Sequence, residues 1–129
     1  MAGQAVRFVK QYDEYGLKAK SKLTSSGFMV ESDTLPAQGK SALGALSSLH
    51  YADTLDNAEN KKFVADYRAR FNEYPSVYSE YGFLAARIFA ESLKAVDGNT
   101  QDKDKLRAAM LALKLNAPRG PFRFNPQTQ

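Results

Sequence analysis

The sequence predicts an α/β fold rich in helix, and three observations predict it. A helix-period segment over residues 5–15 runs through a glycine turn into a strand-like stretch at residues 22–26. A short apolar run bounded by turn formers, Leu43-Gly44-Ala45-Leu46-Ser47-Ser48-Leu49-His50-Tyr51, reads as a second strand. Beyond it lie further amphipathic helical segments and a brief alternating stretch near the C-terminus.

Taken in order, Ala5, Phe8, Val9 and Tyr12, with Val6 alongside, share one helical face. Gly16 follows at the place of a C-cap. This helix, its glycine turn and the strand at 22–26 make half of a βαβ crossover, so a strand is expected upstream of the first residue. Residues 33–37 suit a short helix with Pro36 in its first turn. After the apolar run, Asp56-Asn57-Ala58-Glu59 is a capping-box pattern with Asp56 at the N-cap. It opens a helix whose face is Phe63, Val64, Tyr67 and Phe71, which Asn72-Glu73-Tyr74-Pro75 breaks. Ser76 caps the next helix, with Tyr81, Leu84, Ala85, Ile88, Phe89 and Val96 as its stripe and Leu93 between. As the longest and most apolar helix it is expected at the centre of a core. Asp97-Gly98-Asn99 ends it, and Thr100 or Asp102 caps a helix with Leu106, Ala109, Met110 and Leu113 inward. Pro118-Arg119-Gly120-Pro121 is a turn, and Phe122-Arg123-Phe124 alternates as a strand does.

Composition removes several kinds of chemistry. The 129 residues suffice for a domain with a core. With no cysteine there is no disulfide, thiol catalyst or thiolate metal site, and one histidine cannot build a histidine metal cluster. No cofactor is expected. The net charge is +4, but acids interleave with bases: Asp66 stands four before Arg70, and Glu91 lies between Arg87 and Lys94. Lys61-Lys62 and the group Lys103, Lys105 and Arg107 then read as solvated helix faces, with no nucleic-acid partner. Helical acids are expected on polar faces and aromatic stripes in the core. No run approaches the ~20 apolar residues of a membrane-spanning helix. The first residues lack the basic and apolar regions of a signal peptide, which leaves a cytosolic protein or a leader outside this sequence. No GxGxxG, P-loop, GxSxG or HExxH pattern occurs, and His50 alone could serve as a base near neutral pH. The chain is not expected to be an enzyme.

What remains is a binding site. Ser25-Ser26-Gly27-Phe28 follows the first strand, and open α/β sheets bind ligands beyond the carboxyl ends of their strands. Hydroxyls and free N–H groups there can hold a carboxylate; the other reading is an ordinary turn whose serines bond their own backbone. His50 and Tyr51 close the second strand, where the histidine is either a ligand donor or a structural residue.

Several stretches together carry a resemblance. Gly16-Leu17, Ser25-Ser26-Gly27-Phe28, Leu43-Gly44, His50-Tyr51-Ala52 and Leu55-Asp56-Asn57 with Asn60 and Phe63-Val64 resemble the branched-chain amino acid type of ABC-transporter solute-binding proteins. Tyr67-Arg68-Ala69, Tyr74-Pro75-Ser76, Tyr81 with Ala85-Ala86, and Pro118-Arg119-Gly120-Pro121-Phe122-Arg123-Phe124 follow in the same order, so the resemblance covers nearly all of the chain. It implies a partial type I periplasmic-binding-protein fold with Rossmann-like lobes, here a helix-rich fragment similar to the last third of such a protein. Residues 1–50 would belong to the C-terminal lobe and 51–129 to the N-terminal lobe, with the run at 43–51 approaching a crossover between them. By position, Ser25, Ser26 and Phe28 would lie on the cleft loop, and His50 and Tyr51 where the chain enters the hinge.

The resemblance further implies a periplasmic solute-binding component, or a fragment of one, that takes a small molecule and serves an ABC permease through its parent protein. The ligand would be an amino acid or a related small carboxylate. The Ser-Ser-Gly-Phe loop departs from the acidic loop with which relatives meet an amino-acid ammonium, and Phe28 and Tyr51 suit an aromatic acid better. Apolar faces cut from a two-lobe protein, those of residues 81–96 above all, are expected to drive homo-oligomerisation. The alternatives are a self-associating fragment or interaction module without ligand binding, and a cytosolic sensor of the same fold.

Overall fold

The computed structural model describes residues 2–128, in two compact units that divide between Asp53 and Thr54.

The first unit opens with α1 (Ala2–Glu14). Its inward anchor is Val9, fully buried, whereas Phe8 on the predicted face is half-exposed. Gly16 ends the helix at φ 68°, a left-handed conformation that glycine adopts without Cβ strain. Tyr12 then holds the outgoing chain, its phenolic oxygen 2.6 Å from Ser21 Oγ and 3.0 Å from the Ser21 carbonyl. β1 (Thr24–Ser26) follows, then a 3-10 turn over Gly27–Met29 and the short α2 (Leu35–Gln38) with Pro36 in its first turn. A further 3-10 turn, Gly39–Ala42, leads to β2 (Leu46–Ser48). The strands are parallel, pairing Thr24 with Leu46, Ser25 with Ser47 and Ser26 with Ser48. Polar groups hold the connection between them. Thr34 Oγ1 accepts from the Glu31 N–H at 3.0 Å, and Gln38 Nε2 donates to the Met29 carbonyl at 2.7 Å.

The second strand is shorter than the apolar run. Gly44 sits at φ 84°, which no strand accommodates, so pairing begins only at Leu46. Leu43 and Leu46 are more than half exposed, and His50 and Tyr51 follow the strand without belonging to it.

The second unit contains α3 (Ala58–Phe71), α4 (Val77–Ala95), α5 (Lys103–Ala112) and a hairpin of β3 (Lys114–Ala117) and β4 (Gly120–Arg123). The N-cap of α3 is Asn57, one residue beyond the predicted Asp56. Its Oδ1 accepts from the Asn60 N–H at 2.8 Å, and its Nδ2 donates to the Pro118 carbonyl at 2.9 Å. An amide caps and bridges at once, which a carboxylate cannot do. Asp56 instead pairs with Lys61 at 2.6 Å, and this ammonium holds its carboxyl below the ordinary value. Ser76 and Asp102 cap α4 and α5, and Asn72 ends α3 at φ 56°. Asp66 pairs with Lys62, not Arg70, while Arg87 reaches Glu59 and donates to the Asn116 carbonyl at 2.9 Å. No strand was expected at β3, whose antiparallel partner is β4 across the two-residue turn Pro118-Arg119.

The long helix α4 corrects two expectations. Its buried positions are Val77, Glu80, Leu84 and Ser92. Tyr81 and Phe89 of the predicted core stripe are 41% and 49% exposed, and Phe71, Tyr78 and Phe83 are also open. Aromatic residues at helical spacing are therefore not all core here. Nor are all helical acids on polar faces: Glu80 is fully buried. The reason is Arg119 in the hairpin turn, whose Nε donates to Glu80 Oε1 at 2.9 Å and whose Nη2 donates to Oε2. The same guanidinium lies 5.1 Å from the Tyr81 ring centroid. This forked pair joins Glu80 to the hairpin turn, while Tyr81, about 100° further round the helix, is partly exposed.

Breaking such a pair from one side strands a charge in the interior. Arg119→Ala is expected to destabilise the protein by about 3–5 kcal/mol in urea unfolding, with Arg119→Lys recovering only part of the loss.

Candidate ligand-binding site

Parallel pairing brings the carboxyl ends of β1 and β2 to the same edge of the first unit, with Ser26 level with Ser48. The chain leaves β1 through Gly27–Met29 and leaves β2 through Leu49, His50 and Tyr51. The five residues singled out in the sequence, Ser25, Ser26, Phe28, His50 and Tyr51, thus all occupy one end of one two-stranded sheet.

They differ in what they offer. The Ser25 Oγ is buried and has no hydrogen-bond partner among the described residues. Ser26 is exposed and sits at the N-cap of the 3-10 turn, yet its side chain makes no capping bond. The serines therefore do not have the self-bonded arrangement of an ordinary hydroxyl turn. Phe28 presents a ring that is 44% exposed. His50 is exposed, whereas Tyr51 is 3% exposed and offers no open face.

Sequence reasoning missed three neighbours. Ser47 and Ser48 stand beside Ser25 and Ser26 in register, so Ser25 and Ser47 share one face of the strand pair and Ser26 and Ser48 the other. Gly27 is buried, and a Cβ placed on it would lie 2.4 Å from Leu49 Cβ. A glycine directly after a strand was the only sign of that close approach. From residue 24 to residue 29 there is no carboxylate, and the next acid, Glu31, is buried. Among the described residues no group of three or more His, Cys, Asp or Glu side chains could hold a metal. Nor is any helix among them long and apolar enough to cross a membrane. A cavity of about 220 Å³ in the same unit, bordered by Lys18, Lys22 and Ser41, lies at the amino ends of the strands, away from these residues.

The arrangement is a hydroxyl-lined strand edge with one open aromatic ring, and comparison with known proteins gives it a context. The family described as Periplasmic binding protein matches residues 1–129. This chain belongs to the periplasmic binding protein family. An ABC-transporter substrate-binding protein from Sphaerobacter thermophilus is 37% identical at a TM-score of 0.92, over 97% of this chain and 34% of that one. An ABC-transporter solute-binding protein from R. palustris, solved in complex with benzoate, is 34% identical at a TM-score of 0.88, over 96% and 34%. Leu/Ile/Val-binding protein homolog 6 of Brucella abortus (strain 2308) is 31% identical over 128 residues, 95% of this chain and 32% of that protein. The chain spans about a third of the length of these relatives. The fold is accordingly a partial type I periplasmic-binding-protein fold, with four strands and five α-helices among the described residues.

Because the Ser25 hydroxyl bonds no protein group, removing it deletes no internal hydrogen bond. Ser25→Ala is expected to raise stability by about 1 kcal/mol in urea unfolding while weakening binding of a small carboxylate roughly two- to tenfold, read by calorimetric titration.

Proposed function

We propose that the chain forms part of the ligand cleft of a periplasmic solute-binding component of an ABC importer, and that the ligand is a small carboxylate, an aromatic acid in preference to an aliphatic amino acid. The observation that carries this reading is the unpartnered Ser25 hydroxyl beside the half-open Phe28 ring. A buried hydroxyl without a partner is costly, and a carboxylate oxygen would satisfy it. A ring stacked on Phe28 would bury apolar area at the same edge. The absence of an acid from residues 24–29 leaves no counter-charge there for an ammonium group. The relative bound to benzoate supports the same choice.

In this reading residues 1–50 contribute to the C-terminal lobe and 51–129 to the N-terminal lobe. Ser25 and Ser26 at the end of β1, with Phe28 in the turn that follows, form the cleft side of that lobe. His50 and Tyr51 stand at the hinge entrance, and the permease is engaged by the complete two-lobe protein. Benzoate is expected to raise the melting temperature by several degrees at saturating concentration, with leucine leaving it unchanged. Stabilisation by leucine alone in the same thermal-shift series overturns the aromatic-acid reading.

A second property rests on a separate observation. Tyr78, Tyr81 and Phe89 of α4 are 59%, 41% and 49% exposed. An apolar helix face of this kind favours association between copies. Multi-angle light scattering at micromolar concentration is expected to give a mass above the 14.3 kDa of one chain; a clean monomer refutes self-association.

A further inference from the structure

We infer that Gly27 is a positioning residue for the ligand edge, acting through Leu49 on the segment that carries His50 and Tyr51. The inference rests on the reading of that edge as a ligand site. Gly27 does not need its small size for backbone freedom, because it is not among the residues with positive φ. The constraint is steric. A Cβ at this position would meet Leu49 Cβ at 2.4 Å and Leu49 Cγ and Cδ2 at 3.0 Å. The closest of these atoms is attached directly to the backbone of Leu49 and cannot swing aside by a rotamer change. Any side chain at residue 27 must therefore push the two post-strand segments apart.

These segments are the ones that matter. Ser25 and Ser26 immediately precede Gly27, and Phe28 follows it; His50 and Tyr51 immediately follow Leu49. The strands themselves hold the segments together over only three residue pairs, ending at Ser26 and Ser48. Beyond that point the contact of Gly27 with Leu49 continues the close spacing that the ladder no longer enforces. Bare backbone at residue 27 packed against Leu49 sets how far the hydroxyls and the Phe28 ring stand from His50 and Tyr51.

The test uses His50 as a reporter, since it is the only histidine and its ring resonances need no assignment against others. In the ligand-free protein, Gly27→Ala is expected to shift the His50 ring signals in heteronuclear NMR. Gly27→Ala combined with Leu49→Gly, which removes the obstructing Cβ, should return them towards wild type. Gly27→Ala combined with Leu49→Ala, which keeps that atom, should not. Benzoate affinity is expected to fall about tenfold or more in the single variant and to recover with Leu49→Gly only. If Gly27→Ala does not fold, the Leu49→Gly combination should restore a cooperative melt, and failure in both overturns the inference. Unchanged His50 signals in a folded Gly27→Ala protein also overturn it. Shifted and rescued His50 signals in a protein that never binds benzoate uphold the positioning role and reject the aromatic-acid reading.

Discussion

The first unit depends on the parallel pairing of two strands only three residues long. Parallel ladders need a crossover, and here it is made of two 3-10 turns and the short α2. That pairing sends both strands in one direction and so delivers two separate stretches, 25–28 and 49–51, to a single edge. Shifting β1 by one residue against β2 would turn Ser25 to the opposite face and part it from Ser47. A short ladder has few hydrogen bonds with which to resist such a slip, so the contacts around it carry the burden. Tyr12 on Ser21, Gln38 on Met29 and the apposition of Gly27 with Leu49 each fix one end of a strand or its connection.

Both units spend buried space on polar groups. Gln38, Thr34 and Glu31 are buried in the first, and Asn60, Glu80 and Ser92 in the second. Two of these side chains bond the backbone of irregular segments: Gln38 to Met29 and Asn60 to Leu55. Such bonds give loops a defined conformation where neither helix nor sheet supplies one. The buried hydrophobic residues barely outnumber the buried polar ones, and many large apolar side chains lie open on the helices.

Helices and their ends were the most legible part of the sequence. Gly16, Asn72-Glu73-Tyr74-Pro75, Ser76 and Asp97-Gly98-Asn99 all mark real boundaries, because capping chemistry is local and is written in neighbouring residues. The family relation was legible for a different reason, through the order of many short matches. What the sequence concealed depends on contacts between distant residues. Glu80 looked like a surface acid because its partner stands 39 positions away. Asn57 displaced Asp56 as the cap because it also had Pro118 to reach. The apolar run at 43–51 read as one strand, but Gly44 and a single pairing edge reduce it to three residues. At the proposed ligand edge, the serines and Phe28 could be singled out from their place at and after the end of a strand. Ser47, Ser48 and the role of Gly27 emerge only from the register.

The forked pair of Glu80 and Arg119 has a consequence for the order in which the second unit is made. Synthesis delivers α4 well before the hairpin turn, and until Arg119 emerges the Glu80 carboxylate has no counter-ion with which to leave water. The face of α4 that carries Val77, Glu80 and Leu84 therefore stays solvated on the nascent chain, and it closes only when the hairpin is complete. Arg119 is in this sense a late latch: the helix is formed early by its own residues, but its inward side is chosen by a residue translated long after it.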